Sequence, residues 1–283
     1  LSLSGALSDS GLHEVTGATL HQPRVAELVA DAIRQRILDG ELTDGAMLPN
    51  QEVLIAEFGV SRPSLREAMR ILEAEGLITV IRGNVGGAVV HRPESRHAAY
   101  TLALVLQARA VPIDDVGSAL KQLEGSCAGL CAARPDRARE VVPALEECNA
   151  RAAAAIEDEL AYVQATADFH ATLVASCGSQ TLQLIVGAVE TLWLSHVKGW
   201  AESTTRDGTF PDRQYRLDGL AIHEEITALI AAGRVGEVVR LAEQHVDPTQ
   251  FHSGRHDGGH RVLASTMRSP GRTAAPVTPS GHQ

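Results

Sequence analysis

Two glycines, Gly59 and Gly76, bracket the segment that most constrains this chain. Between them, VSRPSLREAMRILEAE sets Arg62, Arg66 and Arg70 four residues apart, about one helical turn each. Leu65, Met69 and Leu72 fall on the opposite side. Ser61 is a residue type that caps helix N-termini, and Pro63 sits in the first turn, where its missing N–H costs nothing. A helix with one apolar face and one arginine face packs on a core and presents its cations outward.

The flanks complete a small domain. Val25, Leu28, Val29, Ile33 and Ile37 give an amphipathic helix over 22–40, which Gly40 ends. A short helix spans 51–58, and the arginine helix runs from Ser61 to about Glu75. LITVI and GGAVVH then read as two strands around RGNV. Three helices followed by a hairpin, over 21–92, is the order of a winged helix-turn-helix with a two-stranded wing. Such a recognition helix enters the major groove by its N-terminal end, where short hydrogen bonders and arginine read bases and phosphates. Ser61, Arg62, Ser64 and Arg66 stand there, while Gly83, Gly86 and Gly87 let the wing backbone come close to DNA. The bland alternative is a solvated face with Glu67, Glu73 and Glu75 as ion-pair partners, and for Arg70 the two readings stay level.

The formal net charge of -10 argues against coating nucleic acid by bulk electrostatics. From Gly59 to Arg92, however, five arginines stand against three glutamates, and screening makes this local balance decisive. No apolar run reaches the roughly 18 residues of a membrane span, so no membrane partner is expected. Residues 1–20 read as a flexible leader without the features of a secretory signal. Cys127, Cys131, Cys148 and Cys177 form no CxxC pair. Cys127 and Cys131 are one turn apart and read either as half a metal site or as small buried residues. All of this fits a reducing cytoplasm.

Beyond HRPESR the pattern changes. Hydrophobic residues make up 44% of the chain and aromatics only 3%, so the cores are aliphatic, a mix that suits helices. Helical segments are expected at 95–108, 113–134, 136–155, 158–177, 179–199, 214–233 and 235–247, with breakers at Pro112, Pro135, Gly178, the STTRDGTFPD loop and Gly233. Residues 95–247 thus make an all-helical bundle of about six to seven α-helices, and the fold class is mainly α. The tail, 248–283, has no periodicity and is expected to be disordered. Within the bundle, His170, His223 and His245 each sit beside an apolar stripe on a separate helix. Neutral imidazoles converging in a bundle can bind a divalent ion such as Zn²⁺, or can simply be hydrogen-bonded core residues.

LPNQEVLIAEFGVSRPSLREAMRILEAEGLITVIRGNVGGAVV resembles the DNA-binding domain of the GntR family of bacterial transcription regulators. ALKQLEGSCAGLCAAR, DFHATLVASCGSQ and IHEEITALIAAGRVGEVVRLAEQHV resemble the all-helical FCD-type effector domain of its FadR subgroup. The resemblance implies operator contacts from Ser61, Arg62, Ser64, Arg66, Gly86 and Gly87. It implies metal ligands (Zn, Ni or Mn) at His170, His223 and His245, and an effector site of Lys121, Thr166 and these three histidines. It also implies a homodimer on palindromic double-stranded operator DNA, repression, and release by a small organic acid.

Two positions depart from that pattern, and three more bear on it. Glu52 replaces a family arginine, and Thr166 replaces the Asp four residues before the first His. Asp168, two residues before His170, faces away and cannot simply substitute for it. Lys121 either meets the organic acid or pairs with Glu124 at i+3 on the surface. His196 matches no ligand position. The rival readings are a metal-independent regulator with another ligand or a docked partner protein, and a metal-dependent enzyme. The last lacks a general base and leaves the DNA-binding half unexplained.

Overall fold

The computed structural model describes residues 24–81, 87–245 and 261–264, in two compact units divided between Val90 and His91. In the first unit, α1 (Val25–Leu38), α2 (Gln51–Phe58) and α3 (Arg62–Ala74) precede β1 (Ile78–Ile81) and β2 (Gly87–Val90). Asn50 caps α2 by accepting from the Val53 N–H at 2.9 Å. Gly59, at φ 63°, turns the chain out of that helix in the left-handed region. Ser61 then caps α3. The apolar stripes of α1 and α3 meet in one core: Ile33, Ile37, Leu65 and Leu72 are fully enclosed beside Ile78 and Val90. Truncating one such leucine to alanine costs roughly 2–5 kcal/mol.

The two strands pair antiparallel, with Ile78 opposite Val90 and Ile81 opposite Gly87. The Leu48 N–H donates to the Ala88 carbonyl at 2.8 Å, and the Val90 N–H donates to the Ala46 carbonyl at 2.8 Å. The 45–48 segment therefore covers the edge of β2. Gly83 and Gly86 lie outside the described residues.

The second unit holds α4 (Ser95–Ala108), α5 (Ile113–Ala133), α6 (Arg137–Glu140), α7 (Val142–Ala154), α8 (Glu159–Ala175), α9 (Gln180–Arg206), α10 (Arg213–Ala231) and α11 (Val235–His245). The segment expected as one helix over 136–155 is two, with α7 starting afresh at Val142 and Pro143 in its first turn. α9 runs to Arg206, past the expected end at 199, because Ala201 is wholly enclosed and holds the extra turns in place. α5 is the central helix, packed against α8, α9, α10 and α11. Gly125 and Gly129 on α5 admit α11 closely. A Cβ at Gly125 would lie 2.6 Å from Glu243 Cγ and 3.3 Å from the Val239 carbonyl oxygen. One at Gly129 would lie 2.7 Å from Val239 Cγ2.

Residues 261–264 of the tail, expected to be without structure, pack on the α4–α5 connection. The Val262 N–H donates to the Val111 carbonyl at 3.2 Å, and the Ala264 N–H donates to Gln107 Oε1 at 2.8 Å. Val262 and Ala264 are both buried there, which a reading based on periodicity cannot register in so short a piece.

Candidate functional site

The first face is the N-terminal end of α3. Ser61, Arg62 and Arg66 are exposed and Ser64 is half-buried, with its hydroxyl 2.9 Å from that of Ser61. Two of the three glutamates that might have neutralised the arginines are engaged elsewhere. Glu75 takes both arms of Arg34 on α1, at 2.8 and 2.7 Å. Glu73 accepts from the Val80 N–H at 3.0 Å, which pins β1 to α3. Only Glu67 pairs with Arg70, at 3.3 Å. Arg66 makes no hydrogen bond or ion pair among the described residues, and Arg62 is met by Glu52 at 2.6 Å. Gly87 opens β2 opposite Ile81. Gly86 lies outside the described residues.

The second face is interior. α8, α10 and α11 bring His170, His223 and His245 together, with one ring nitrogen of each within 4.8 Å of the others. The Nε2 atoms of His223 and His245 are 2.6 Å apart. Two lone pairs cannot face each other at that distance unless a proton or a cation lies between them. Burial, and then the charge of His170, hold His245 down at about 3. His223 is likewise lowered by burial and by His170 and His245, so both rings are neutral ligands at physiological pH. His170 differs. Burial pulls it down, but the charge and hydrogen bond of Glu124, helped by the charge of Glu190, outweigh that and raise it. Glu124 Oε2 lies 2.7 Å from His170 Nδ1, which fixes this ring and leaves Nε2 to take an ion, as carboxylates do behind ligating histidines. Phe169 stacks on His223 at 4.0 Å between centroids. The donor set fits a divalent ion of the Zn, Ni or Mn type.

Around this cluster lies a cavity of about 430 Å³. Thr166, one turn before His170 on α8, lines it, as do all three histidines. Asp168 does not: its carboxylate accepts from Gln164 Nε2 at 2.8 Å and faces Arg151 at 3.8 Å. His196 is not part of the cluster.

Both halves match known families. The family described as "Bacterial regulatory proteins, gntR family" covers residues 25–89, and the FCD domain covers residues 115–248. The uncharacterized HTH-type transcriptional regulator Rv0494 of Mycobacterium tuberculosis is 33% identical over 232 residues, 79% of this chain and 87% of that protein. This chain belongs to the GntR family. As a GntR regulator of the FCD type it is a DNA-binding transcription factor and not an enzyme. HTH-type transcriptional regulator Mce2R, also of M. tuberculosis, is 31% identical over 58% of this chain and 68% of its own length. The HTH-type transcriptional repressor NanR of Klebsiella aerogenes is 37% identical over 76 residues, 27% of this chain and 28% of its own. The solved structure of Streptococcus agalactiae GntR superposes with a TM-score of 0.60 at 21% identity, over 81% of this chain and all of that one. That likeness concerns the fold alone.

For this GntR regulator, two readings of the sequence need correction. Lys121 is not among the cavity residues. Leu120 and Glu124, four apart, face inward, and position 121 is turned about 100° away from Leu120. Glu124 is not a surface partner for Lys121, being buried against His170. Glu190 is a further buried carboxyl at the cavity, pushed up to about 7 by burial and then by the charge of Glu124. Nothing in the sequence marks these glutamates, since a Glu on an Ala-rich helix reads as solvated surface. The four cysteines are buried and free core residues, and burial pushes the Cys131 thiol up to about 12, so that thiol stays protonated.

Proposed function

We propose that this GntR regulator represses transcription as a homodimer on a palindromic operator in the cytoplasm, and that an organic acid in the helical unit releases it. The observation that carries the reading is the pairing of an arginine-bearing, capped helix end with a partly buried three-histidine cluster in one chain. Ser61, Arg62, Ser64 and Arg66 would enter the major groove, with Gly86 and Gly87 bringing the wing backbone to the duplex. Repression is the role named for NanR, whose likeness spans a domain-sized segment. Dimerisation is supported by apolar side chains left in solvent on α4 and α9, which pack on one another: Leu104, Val105, Leu184 and Ile185.

His170, His223 and His245 would hold the divalent ion, Glu124 orienting His170 and Thr166 leaving room beside it. When bound, such an ion offers an acid's oxygens a Lewis-acid seat. The route from cavity to DNA runs through α9. One face of α9 lines the cavity with Glu190, Trp193 and Val197. Elsewhere on α9 a Cβ at Gly187 would lie 3.1 Å from Ser95 Oγ at the start of α4, and α4 follows the wing strand after only four residues. An effector that prefers one packing of α9 shifts the population toward it and moves the start of α4.

Selection from random duplex DNA by the purified full chain tests the proposal. The expected product is an inverted repeat with half-sites about one helical turn apart, lost in Arg66→Ala. Enrichment of a single unrepeated site, or none, would contradict it.

A further inference from the structure

Aromatic residues form only 3% of the chain, yet they gather at one place. Both tryptophans, Trp193 and Trp200, line the cavity, together with Tyr162, Tyr215 and Phe210. Its charges are as one-sided. Glu124, Glu190 and Asp218 line it, and among the described lining residues there is no lysine or arginine. Arg216 stacks against Phe210 at 5.8 Å but is not a lining residue. Its guanidinium is held by the Ile156 and Pro211 carbonyls, at 2.7 and 3.0 Å, beside Glu159.

From these features we infer that the effector is a monocarboxylic acid with a long or broad apolar body, its acid at the histidines and its body against Trp193, Trp200 and Phe210. The inference rests on the metal reading above for the seat of the acid, and on the cavity alone for the body. A second carboxylate on the ligand would meet carboxylates and no cation. A polyhydroxylated body would lose its water to indole and phenyl surfaces without enough partners in return. Size points the same way. α9 carries Glu190, whose charge reaches both Glu124 and His170, and Trp200 ten residues on, about 15 Å further along the helix at 1.5 Å per residue. A two-carbon acid at the histidines leaves that length unfilled, whereas a cavity of about 430 Å³ suits a larger ligand. Glu190 adds a polar requirement. It is buried, and its Oε1 has no hydrogen-bond partner among the described residues, so a hydroxyl or amide N–H near the acid has an acceptor waiting.

Because every tryptophan of the chain lines the cavity, intrinsic tryptophan fluorescence reports its occupancy directly. The experiment titrates the full-length, zinc-loaded protein with acetate, hexanoate, decanoate and succinate, and measures metal content on the same samples. The expected dissociation constant falls by about fourfold for each methylene that becomes buried, with succinate no tighter than acetate. Trp200→Ser should weaken decanoate while leaving acetate and the metal content unchanged; a merely structural role would weaken all the acids alike. Equal affinities for the three monoacids, tighter binding of succinate than of hexanoate, or no response to any of them would overturn the proposal. A chain-length gradient with every affinity unchanged in chelator-treated protein would sustain it and overturn the metal reading instead.

Discussion

Glu52 Oε1 lies 2.6 Å from Arg62 Nη2, so the first turn of α2 holds the first residue of α3 by its guanidinium. Both side chains are well exposed, at 67% for Arg62 and 75% for Glu52, and an exposed pair of this kind contributes about 0–1 kcal/mol. Its consequence lies in DNA binding. The glutamate occupies a cation that the recognition helix would offer to phosphate or guanine, and brings a negative charge toward the duplex. Glu52→Gln should raise affinity for non-specific duplex by up to about fivefold and steepen the salt dependence by about one phosphate contact. Fluorescence anisotropy across a salt series checks this; an unchanged slope would mean that Arg62 is already free on DNA.

Arg66 carries the opposite expectation, since nothing among the described residues competes for it. Arg66→Ala should cost about 1–3 kcal/mol of operator binding, roughly fivefold to 150-fold. The melting temperature should stay within the small range of surface substitutions. Parallel binding and melting curves separate loss of a contact from loss of the fold.

Gly125 sits where α5 and α11 touch. Gly125→Val should drive its side chain into the Val239 carbonyl, 3.3 Å from a Cβ there, and push away the helix that carries His245. The predicted outcome is a lower melting temperature and metal affinity weakened by at least about tenfold, the size of effect seen when support around a site is lost. Metal affinity equal to wild type would show that the close approach does not position the histidine.

Glu190 makes a pH-dependent statement about the metal-free chain. Its folded value is raised, from 4.5 to about 7, first by burial and then by Glu124. A raised carboxyl contributes its stability in full below pH 4.5 and loses it as pH rises toward 7. Wild-type stability should therefore fall across that window relative to Glu190→Gln, by on the order of 3 kcal/mol at most. Denaturant melts of both proteins against pH decide it; parallel curves would place the ionised carboxylate in a solvated setting.

Much of this was legible in the sequence because local chemistry and tertiary packing agreed. Gly59 and Ser61 mark the end of α2 and the start of α3 by residue type alone, and the three histidines stand on recognisable apolar stripes. Reading failed where a distant partner overrode the local signal. STTRDGTFPD reads as a loop that stops the helix, but the enclosed Ala201 carries α9 on to Arg206. Lys121 looked like the cation nearest the site, yet its neighbour Glu124 holds the inward position and its partner, His170, is 46 residues away. The aromatic lining escaped notice because α8, α9, α10 and the Phe210 loop each contribute only one or two residues to it.

The account turns on whether the histidines hold an ion although Thr166 stands where an aspartate is usual. Elemental analysis of untagged, dialysed protein, with His223→Ala alongside, measures this most directly. The prediction is about one Zn, Ni or Mn ion per chain in the wild type and none in the variant. No metal in either protein would contradict it and leave His170, His223 and His245 as the polar lining of a metal-free pocket.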